Sequence, residues 1–211
     1  PSRLVGSEMC IRDSYKNVNN IWTQVGGDID GEVTGDESGK SVSISSDGSV
    51  VAIGASNNDG NGTNSGHVRI YKNVNNIWTQ VGGDIDGEAA YDYSGWSVSL
   101  SSDGSIVAIG APGNDGNGNG SGHVRIYKNV NNIWTQVGGD IDGELSGDNS
   151  GWSVSLSSDG SVVAIGAPWN DGNGSSSGHV RIYKNVNNIW TQVGGDIDGE
   201  LSGDNSGWSV S

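Results

Sequence analysis

The sequence predicts an all-β protein, a β-propeller built from four-stranded blades and incomplete in this chain. First, the segment YKNVNNIWTQVGGDIDGE begins at Tyr15, Tyr71, Tyr127 and Tyr183, so that one unit spans 56 residues. Second, short apolar runs alternate with turns of Ser, Gly and Asn, which is typical of strands. Third, the 37 Gly among 211 residues disfavour long helices. A fixed period of this length indicates a repeat architecture.

The first two strands of a unit are the most regular, as the third copy shows. Trp152 to Ser157 alternates apolar and Ser positions, which is the period of a strand with one buried face. Ser158 to Gly160 follows as a tight turn, because Asp and Gly accept positive backbone dihedrals. Ser161 to Ala167 is apolar at almost every position, which predicts a strand buried on both faces.

The outer half of the unit holds two further strands and two long connections. A polar loop, Asn170 to Gly178, leads to the third strand, His179 to Lys184. The residues Asn185 to Asn188 form the turn to the fourth strand, Ile189 to Val193, and Gly194 to Ser206 leads to the next unit. Four strands repeated head to tail match one propeller blade. A parallel β-helix, the main alternative, has much shorter turns than 56 residues.

The repeat defines two regions. Residues 15 to 211 form a propeller fragment, with complete blades at about 40 to 83, 96 to 139 and 152 to 195 and partial blades on either side. Residues 1 to 14 lie outside the repeat, and their SEMCIRDS string resembles translated adapter sequence, so we exclude them as a leader that looks non-native. Three blades cannot close a ring, so we expect the native chain to continue or to pair with another copy.

The charge of the chain restricts its partners. The formal net charge is -15, from 25 acidic and 10 basic residues. Nucleic acids and anionic membrane surfaces would be repelled, so we expect neither as a partner. No segment approaches the roughly 20 apolar residues that span a bilayer, so we expect no membrane insertion within this sequence.

One string of the unit resembles a known repeat. SGWSVSLSSDGSVVAIGAP, followed by SGHVRIY and IWTQVG, is similar to the FG-GAP repeat of integrin alpha chains and bacterial surface proteins, across residues 15 to 211. Its Gly-Ala-Pro half occurs at residues 110–112 and 166–168 and is Gly-Ala-Ser at 54–56. Its Phe-Gly half is only Ser-Gly, at residues 94–95, 150–151 and 206–207. The resemblance implies a seven-bladed propeller on an extracellular or cell-surface protein that serves adhesion or ligand binding.

The calcium loop of the integrin form is not matched. That family places an Asp-rich loop between the first and second strands. Here the same place holds a short Ser-Asp-Gly turn around Asp47, Asp103 and Asp159, which has too few oxygens for such a site. We therefore do not transfer the family's calcium site to this chain.

The two long connections of each unit should lie at one end of the sheet. In a four-stranded meander, the loop between strands two and three shares an end with the link from strand four to the next unit. We call this end the long-loop face. The middle copies differ at eight of 56 positions, mostly there, at residues 89 to 91, 93, 113, 119 and 120. A variable surface on a constant scaffold is typical of a binding face.

The long-loop face carries a repeated acidic pattern, G-D-I-D-G-E-x-x-G-D. It places carboxylates at relative positions 1, 3, 5 and 9, and calcium takes six to eight oxygen ligands in proteins. Calcium is therefore the candidate cofactor, against the alternative of a solvated acidic turn. The candidate ligands are Asp28, Asp30, Glu32, Asp36, Asp84, Asp86, Glu88, Asp92, Asp140, Asp142, Glu144, Asp148, Asp196, Asp198, Glu200 and Asp204.

Three repeated His residues are predicted to be structural. His67, His123 and His179 each open a third strand, with no Cys or second His nearby in the sequence. Zinc sites need several converging ligands, and a catalytic His needs an orienting partner.

The Trp residues divide into two kinds. Those of the fourth strand, Trp78, Trp134 and Trp190, are predicted to pack rather than to bind sugars. Trp169 stands in a long loop where the other copies have Asn57 and Gly113. An exposed loop Trp is a typical contact residue, so we predict that Trp169 contacts a ligand.

The resemblance implies a binding module rather than an enzyme, and the acidic, variable face is consistent with that expectation. The leading hypothesis is an extracellular or cell-surface adhesion module whose acidic face contacts a protein or glycan, with calcium as a candidate bridge. One alternative is a lectin-like propeller in which Trp residues stack on sugars. The other is an accessory propeller of a larger secreted enzyme. No Gly-x-Ser-x-Gly motif occurs in the sequence.

Overall fold

The computed structural model describes residues 11–12 and 14–211. The interpretation of residues 1 to 14 as a leader therefore lies almost wholly outside the described residues and stays a prediction. The described residues form strands and turns without a helix, which confirms the all-β class and leaves no helix of the kind that crosses a membrane. The strands before the first complete unit are β1 (Ile11–Arg12), β2 (Tyr15–Val18), β3 (Ile21–Gln24) and β4 (Ile29–Asp30).

Three complete units follow, each with four main strands and a short fifth. The first contains β5 (Ser41–Ile44), β6 (Val50–Ala55), β7 (His67–Val74), β8 (Ile77–Gln80) and β9 (Ile85–Asp86). The second contains β10 (Ser97–Leu100), β11 (Ile106–Ala111), β12 (His123–Val130), β13 (Ile133–Gln136) and β14 (Ile141–Asp142). The third contains β15 (Ser153–Leu156), β16 (Val162–Ala167), β17 (His179–Val186), β18 (Ile189–Gln192) and β19 (Ile197–Asp198).

The main strands of each unit form an antiparallel meander. In the second unit the order is β10-β11-β12-β13, with Ser97 opposite Gly110, Ala111 opposite His123 and Tyr127 opposite Gln136. The other two units repeat this order. The four-stranded blade predicted from the sequence is confirmed.

The outer edge of each sheet differs from the prediction. The fourth strand does not run straight into a loop, because a short fifth strand returns to the third strand: Val124 lies opposite Ile141 in the second unit. Between the two edge strands the backbone bulges at Gly138, whose φ is 77°. Gly accepts this dihedral without a Cβ clash, so the chain can bend there and both β13 and β14 can pair with β12 along the same edge.

The hydrophobic core lies between neighbouring sheets. One apolar cluster combines residues of the first unit, such as Val68 and Ile70, with Leu100 and Ile109 of the second. An equivalent cluster joins the second unit to the third. Every residue of β6 is buried, and in β16 all are buried except Val162 and Ala164, which are partly exposed, so the prediction of a doubly buried second strand holds fully for β6 and mostly for β16.

The first strands are the ones that meet from unit to unit. The backbone N–H of Leu100 in β10 donates to Ser43 Oγ in β5, at 3.0 Å, and Leu156 in β15 donates to Ser99 Oγ in the same way. The small Ser side chains therefore lie where the sheets approach most closely. Sheets packed face to face with their first strands together are blades of a propeller, and the described blades leave the ring open.

Candidate functional site

The two long connections of each unit lie together, as the meander predicts. The loop after β6 and the link after β9 run side by side, since Tyr91 N donates to Thr63 O at 2.8 Å and Tyr93 N donates to Asn64 O at 3.1 Å. The third unit repeats this contact between Asn205 and Ser176. Gly113 N of the second unit also donates to Asp92 O of the preceding link at 3.2 Å, so the long-loop face continues from one unit to the next.

The carboxylate at position 9 of the acidic pattern stabilises the loops themselves. Asp148 is buried, and its Oδ2 accepts from Leu145 N at 3.0 Å and from Asn170 Nδ2 at 2.9 Å. Asp36 and Asp92 hold the equivalent contacts in the earlier copies. The carboxylate of Asp204 accepts from Leu201 N at 2.7 Å. These oxygens face backbone and amide donors within the loop.

The carboxylates at positions 1 and 5 lie in clusters that combine two copies of the pattern. In each cluster a Glu from one link meets a His that opens the next third strand and an Asp that follows that unit's fourth strand. The potential ligand atoms lie within 4.8 Å of one another. The three clusters are Glu32, His67 and Asp84; Glu88, His123 and Asp140; and Glu144, His179 and Asp196. Each could hold a metal ion.

The buried His Nδ1 atom faces the Glu carboxylate in each cluster, and in the first two clusters it faces the Asp carboxylate as closely. His123 Nδ1 lies 4.0 Å from Glu88 Oε2 and 3.9 Å from Asp140 Oδ2. The matching distances from His67 Nδ1 to Glu32 and Asp84 are both 3.9 Å. The imidazoles are buried, whereas the carboxylates reach solvent. Each cluster is therefore a solvent-accessible mouth with a His at its base.

A buried arginine positions the Glu of each cluster. Arg125 Nη1 lies 3.1 Å from Glu88 Oε1, and Arg125 Nη2 donates to the Asp86 carbonyl at 2.9 Å. The ion pair involves Oε1, so Oε2 is the oxygen that faces His123. Arg69 and Arg181 form the same ion pairs with Glu32 and Glu144.

Burial keeps the imidazoles neutral. Desolvation, reinforced by the charge of Arg125, lowers the pKa of His123 to about 4, although Asp140 opposes the shift. Burial is also the main cause that lowers the pKa of His67 and of His179. Neutral imidazole at pH 7 has a free lone pair, which is the form that binds metals.

Sequence reasoning did not find these clusters. It predicts a purely structural role for the His residues, because no other His or Cys is near them in the chain. The partners are carboxylates 35 residues before and 17 residues after the His, as in Glu88, His123 and Asp140. This constant spacing, repeated three times, was the available signal. Only the packing of neighbouring units shows that it brings the side chains together.

Position 3 of the pattern stays outside the clusters. Asp142 belongs to the short strand β14 and lies opposite His123 in the sheet. Burial raises the pKa of Asp142, and the charge of Asp140 adds to the shift. Asp30, Asp86 and Asp198 occupy the same place in β4, β9 and β19.

The remaining carboxylates of the pattern belong to its first and last copies. Asp28 Oδ1 accepts from Gln24 Nε2 at 2.6 Å. The Glu200 side chain is exposed, and its backbone carbonyl accepts from Asn173 Nδ2 at 3.4 Å. The four carboxylates of one link therefore have separate surroundings: position 9 stabilises the loops, position 3 lies in a strand, and positions 1 and 5 lie in two different clusters. Calcium binding stays a prediction.

The Ser-Asp-Gly turns do not fit the calcium site of the integrin form. Asp47 Oδ1 accepts from Ser45 Oγ at 2.7 Å and from Ser49 N at 2.9 Å. These donors, the Ser49 backbone first, lower the pKa of Asp47 to about 2. Asp103 and Asp159 are held in the same way. The carboxylates already stabilise their own turns, so no metal role is assigned to them.

We expect these turn carboxylates to make stability depend on acid pH. A carboxylate whose pKa is lowered in the folded state stabilises the fold at pH values above its ordinary pKa of 3.8. This contribution is lost as the pH falls through about 2. The variant Asp47→Asn with Asp103→Asn and Asp159→Asn should therefore unfold at lower urea than wild type at pH 7. The gap should narrow between pH 4 and pH 2.

Urea midpoints at pH 7, 4 and 2 test this prediction. Asp28→Asn with Asp86→Asn and Asp198→Asn serves as the control, because it removes the same charge outside the turns. A gap that stays constant with pH, or that the control reproduces, would contradict the assigned role.

Aromatic rings form a second feature of the long-loop face. Trp152 lies 4.5 Å from Trp96 and 5.2 Å from Trp208, measured between ring centroids, at equivalent positions of neighbouring units. Trp169 packs edge-on against Trp152 at 4.4 Å and lies 5.7 Å from Trp208. Lys40 takes the equivalent position in the first unit, with its Nζ 4.6 Å from the Trp96 ring. We call these four Trp residues the aromatic group.

The surroundings of Trp169 differ from those expected of an isolated, exposed loop residue. The loop Trp is only partly exposed, because it packs on rings that precede the first strands. It belongs to a row of rings along the inner edge of the face instead of standing alone. Whether it contacts a ligand stays a prediction.

The outer Trp residues pack against the preceding unit. Trp134 Nε1 donates to Val81 O at 2.7 Å, and its ring packs on the core between the first two units. Trp78 and Trp190 repeat the bond to Val25 and Val137. The prediction that these residues pack is confirmed.

Comparisons with known proteins agree with this architecture. A family model described as the FG-GAP repeat matches residues 29–71, 85–127 and 141–183. A candidate 6-phosphogluconolactonase from Bacteroides fragilis NCTC 9343 has a similar fold, with a TM-score of 0.57 and 14% identity over 87% of this chain and 46% of its own. One from Bacteroides uniformis ATCC 8492 also has a TM-score of 0.57 and 14% identity, over 89% of this chain and 48% of its own.

These structural likenesses concern the fold alone, since the identity is low. The chain spans about half the length of the two solved structures. No curated protein sequence matches the chain.

Proposed function

Because the chain belongs to the FG-GAP repeat family, we propose that it is a non-enzymatic binding module of an extracellular or cell-surface protein. In this proposal the long-loop face contacts a protein or glycan ligand. The family is the one that the sequence motifs indicate, so that prediction is confirmed. The binding role and the location rest on the surface described above and on the properties of the family.

The aromatic group is the observation that supports this function best. Four Trp rings lie at one edge of the face. Trp96, Trp152 and Trp169 are partly exposed, and Trp208 is 55% exposed. Trp side chains supply large contact areas at low entropic cost and are enriched among the residues that dominate binding energy. Seven of the eight differences between the two middle copies lie in the surrounding loops, and the strands beneath them differ only at Ile106, which is Val162 in the next copy.

The negative charge of the chain restricts the classes of ligand that can bind. With a net charge of -15 on the chain, an acidic partner would be repelled, and a neutral sugar or a basic protein surface would not. A sugar ring could stack on an exposed Trp face, which supports the glycan version of the proposal. Calcium dependence remains a prediction here, supported by the density of carboxylates on the face.

The non-enzymatic part of the proposal rests on the surroundings of the His residues. Nε2 of His123 and of His179 has no hydrogen-bond partner among the described atoms. Their Nδ1 atoms face carboxylates, whereas nucleophilic catalysis needs a base in contact with a nucleophile. The fold shared with candidate lactonases carries no activity to this chain, because one fold supports many functions.

We expect Trp169 to dominate ligand affinity. The fluorescently labelled chain would be applied to an array of purified glycans and purified extracellular matrix proteins. Trp169→Asn should weaken binding at least about tenfold, as for the central Trp of an interface. The first copy has Asn57 at this position, so the substitution should preserve the fold. Trp22→Ala is the matched control, because Trp22 is 67% exposed on an outer strand.

The outcomes separate the versions of the proposal. Glycan binding that persists in chelator and is lost in Trp169→Asn indicates a lectin-like module, whereas protein binding lost in chelator indicates metal-dependent adhesion. A folded wild-type chain that binds nothing on the array, or two variants that lose affinity equally, would overturn the proposed binding face.

A further inference from the structure

The three Glu-His-Asp clusters have a chemistry that ligand binding by Trp residues does not require. Each places one imidazole nitrogen and two carboxylates around the same point, at the same location in successive units. Random acidic surface would not bring a buried His to every such point. The repetition indicates that the arrangement is a property of the unit.

The buried His nitrogens destabilise the fold when they have no ligand or hydrogen-bond partner. His179 is 1% exposed, and neither its Nδ1 nor its Nε2 has a hydrogen-bond partner among the described atoms. Nδ1 lies 4.0 Å from Glu144 Oε2, which is too far for a hydrogen bond. An unpaired buried polar atom is unfavourable. A cation between Nδ1 and the carboxylates would satisfy it.

The donor set selects the class of cation. Calcium prefers six to eight oxygen ligands, and the cluster supplies a nitrogen in place of one of them. Imidazole together with carboxylate is the donor set that suits zinc and neighbouring divalent transition metals. Three protein ligands and one water would complete a tetrahedral zinc site.

The distances are close to those of a bound site. Metal bonds of about 2.0–2.2 Å place tetrahedral ligands about 3.3–3.6 Å apart. The atoms facing His67 and His123 lie at 3.9–4.0 Å. The carboxylate side chains are the partly exposed members of each cluster, so small rotations of them can close the difference.

We propose that each Glu-His-Asp cluster binds one divalent transition-metal cation of the zinc class, so that the described part of the chain binds three. The ligands are His Nδ1 and one oxygen of each carboxylate. The Glu comes from the link that precedes a unit, and the His and Asp belong to the unit itself. A bound cation therefore fastens each link to the next blade and stabilises the folded array.

The affinity should be moderate. The His ligands of tight zinc sites donate their other ring N–H to a second group, and removal of that partner weakens binding 10–100-fold. Nε2 of His123 and His179 lacks such a partner among the described atoms. We therefore expect dissociation constants well above those of structural zinc sites.

Zinc titration of two charge-matched variants tests the proposal. The first variant, Asp84→Asn with Asp140→Asn and Asp196→Asn, removes one ligand from every cluster. The second, Asp86→Asn with Asp142→Asn and Asp198→Asn, removes the same charge two residues away. Both carry Cys10→Ser, as does the reference chain, because Cys10 is the one thiol of the sequence. Zinc binding is measured by calorimetry, and circular dichroism verifies folding.

We expect three zinc ions per reference chain. Zinc should raise the melting temperature, and millimolar calcium should not displace it. The first variant should bind zinc at least about tenfold more weakly, because loss of a direct ligand weakens binding no less than loss of a group that only orients a ligand. The second variant should match the reference chain.

Two further readouts address His ligation directly. The imidazole Nδ1 resonances should shift on zinc addition in the ¹⁵N NMR spectrum, and Co²⁺ should give the visible absorption of a tetrahedral site. Equal zinc binding by the two variants, unshifted Nδ1 resonances, or no zinc binding by the reference chain would overturn the proposal. Preferential calcium binding lost in both variants would instead support the acidic-loop calcium prediction. None of these outcomes depends on ligand binding by the aromatic group.

Discussion

Replacement of Gly110 by Ala is expected to lower the free energy of unfolding by about 3 kcal/mol, the upper range for overpacking a core. Gly110 is the penultimate residue of β11, the second strand of its unit, and a Cβ at this position would overlap the carbonyl oxygen of Gly151 in the next unit. Gly151 N in turn donates to Gly166 O at 3.2 Å. Relief of the clash would require backbone movement of β11, which is hydrogen-bonded to β10 on one side and to β12 on the other.

This contact explains the two halves of the repeat motif. The Gly of Gly-Ala-Pro in one unit meets the Gly of Ser-Gly in the next, and the same overlap would occur at Gly54 with Gly95 and at Gly166 with Gly207. The physical requirement that these three pairs share is close approach of two backbones at the inner edge of the blades. A side chain at either position would separate them.

Urea unfolding of Gly110→Ala and of Gly139→Ala measures the effect. Gly139 is the matched control, because a Cβ there would have no heavy atom within 4 Å. The control should change stability by no more than about 0.5 kcal/mol, as is usual for surface substitutions. Similar midpoints for the two variants would show that the blades do not approach as described.

Removal of the Trp134 side chain is expected to cost about 3 kcal/mol, the lower range for Trp→Ala in a core, because the ring is half-buried. The ring packs on the core between the first and second units and donates to Val81 O at 2.7 Å. In a repeat protein the interfaces between neighbours supply much of the stability, so loss of one should weaken cooperativity as well.

Three variants separate packing from hydrogen bonding. Trp134→Ala should lower the urea midpoint most, and Trp134→Phe should recover part of the loss by keeping an aromatic ring. The loss left after Trp134→Phe should be at least the roughly 1 kcal/mol of a single hydrogen bond, because phenyl lacks the N–H and fills less of the contact. Trp22→Ala, at a position that is 67% exposed, should leave the midpoint almost unchanged. Equal losses from Trp134→Ala and Trp22→Ala would argue against an interface role.

Local features of the fold could be predicted from the sequence because they depend on neighbouring residues. The alternation of Val154 and Leu156 with Ser predicts a strand with one buried face, and the structure buries both apolar side chains. Asn-rich turns were similarly evident: Asn187 and Asn188 have φ of 53° and 63°, dihedrals that Asn tolerates. The bulge at Gly138 and the short strand after it were missed, because Gly-Gly suggests a loop equally well.

The arrangement of the long-loop face depended on packing between units. Asp140 and Glu144 are four residues apart, and their sequence pattern predicts one shared metal loop. In the structure Asp140 turns to His123 of its own unit and Glu144 to His179 of the next. Likewise Trp169, which the sequence presents as an isolated loop residue, packs on Trp152.

The order of residues alone is enough to predict the repeat, the four main strands of each unit, their turns and the family, because 56-residue self-similarity and alternating patterns are visible in it. Which carboxylate joins which His, and which Trp rings meet, follows only from the packing of neighbouring units. Those contacts join residues of neighbouring units, and their distances depend on how closely two sheets pack. At the inner edge this packing brings a Gly of one unit against a Gly of the next, and the sequence shows both glycines without showing that they meet.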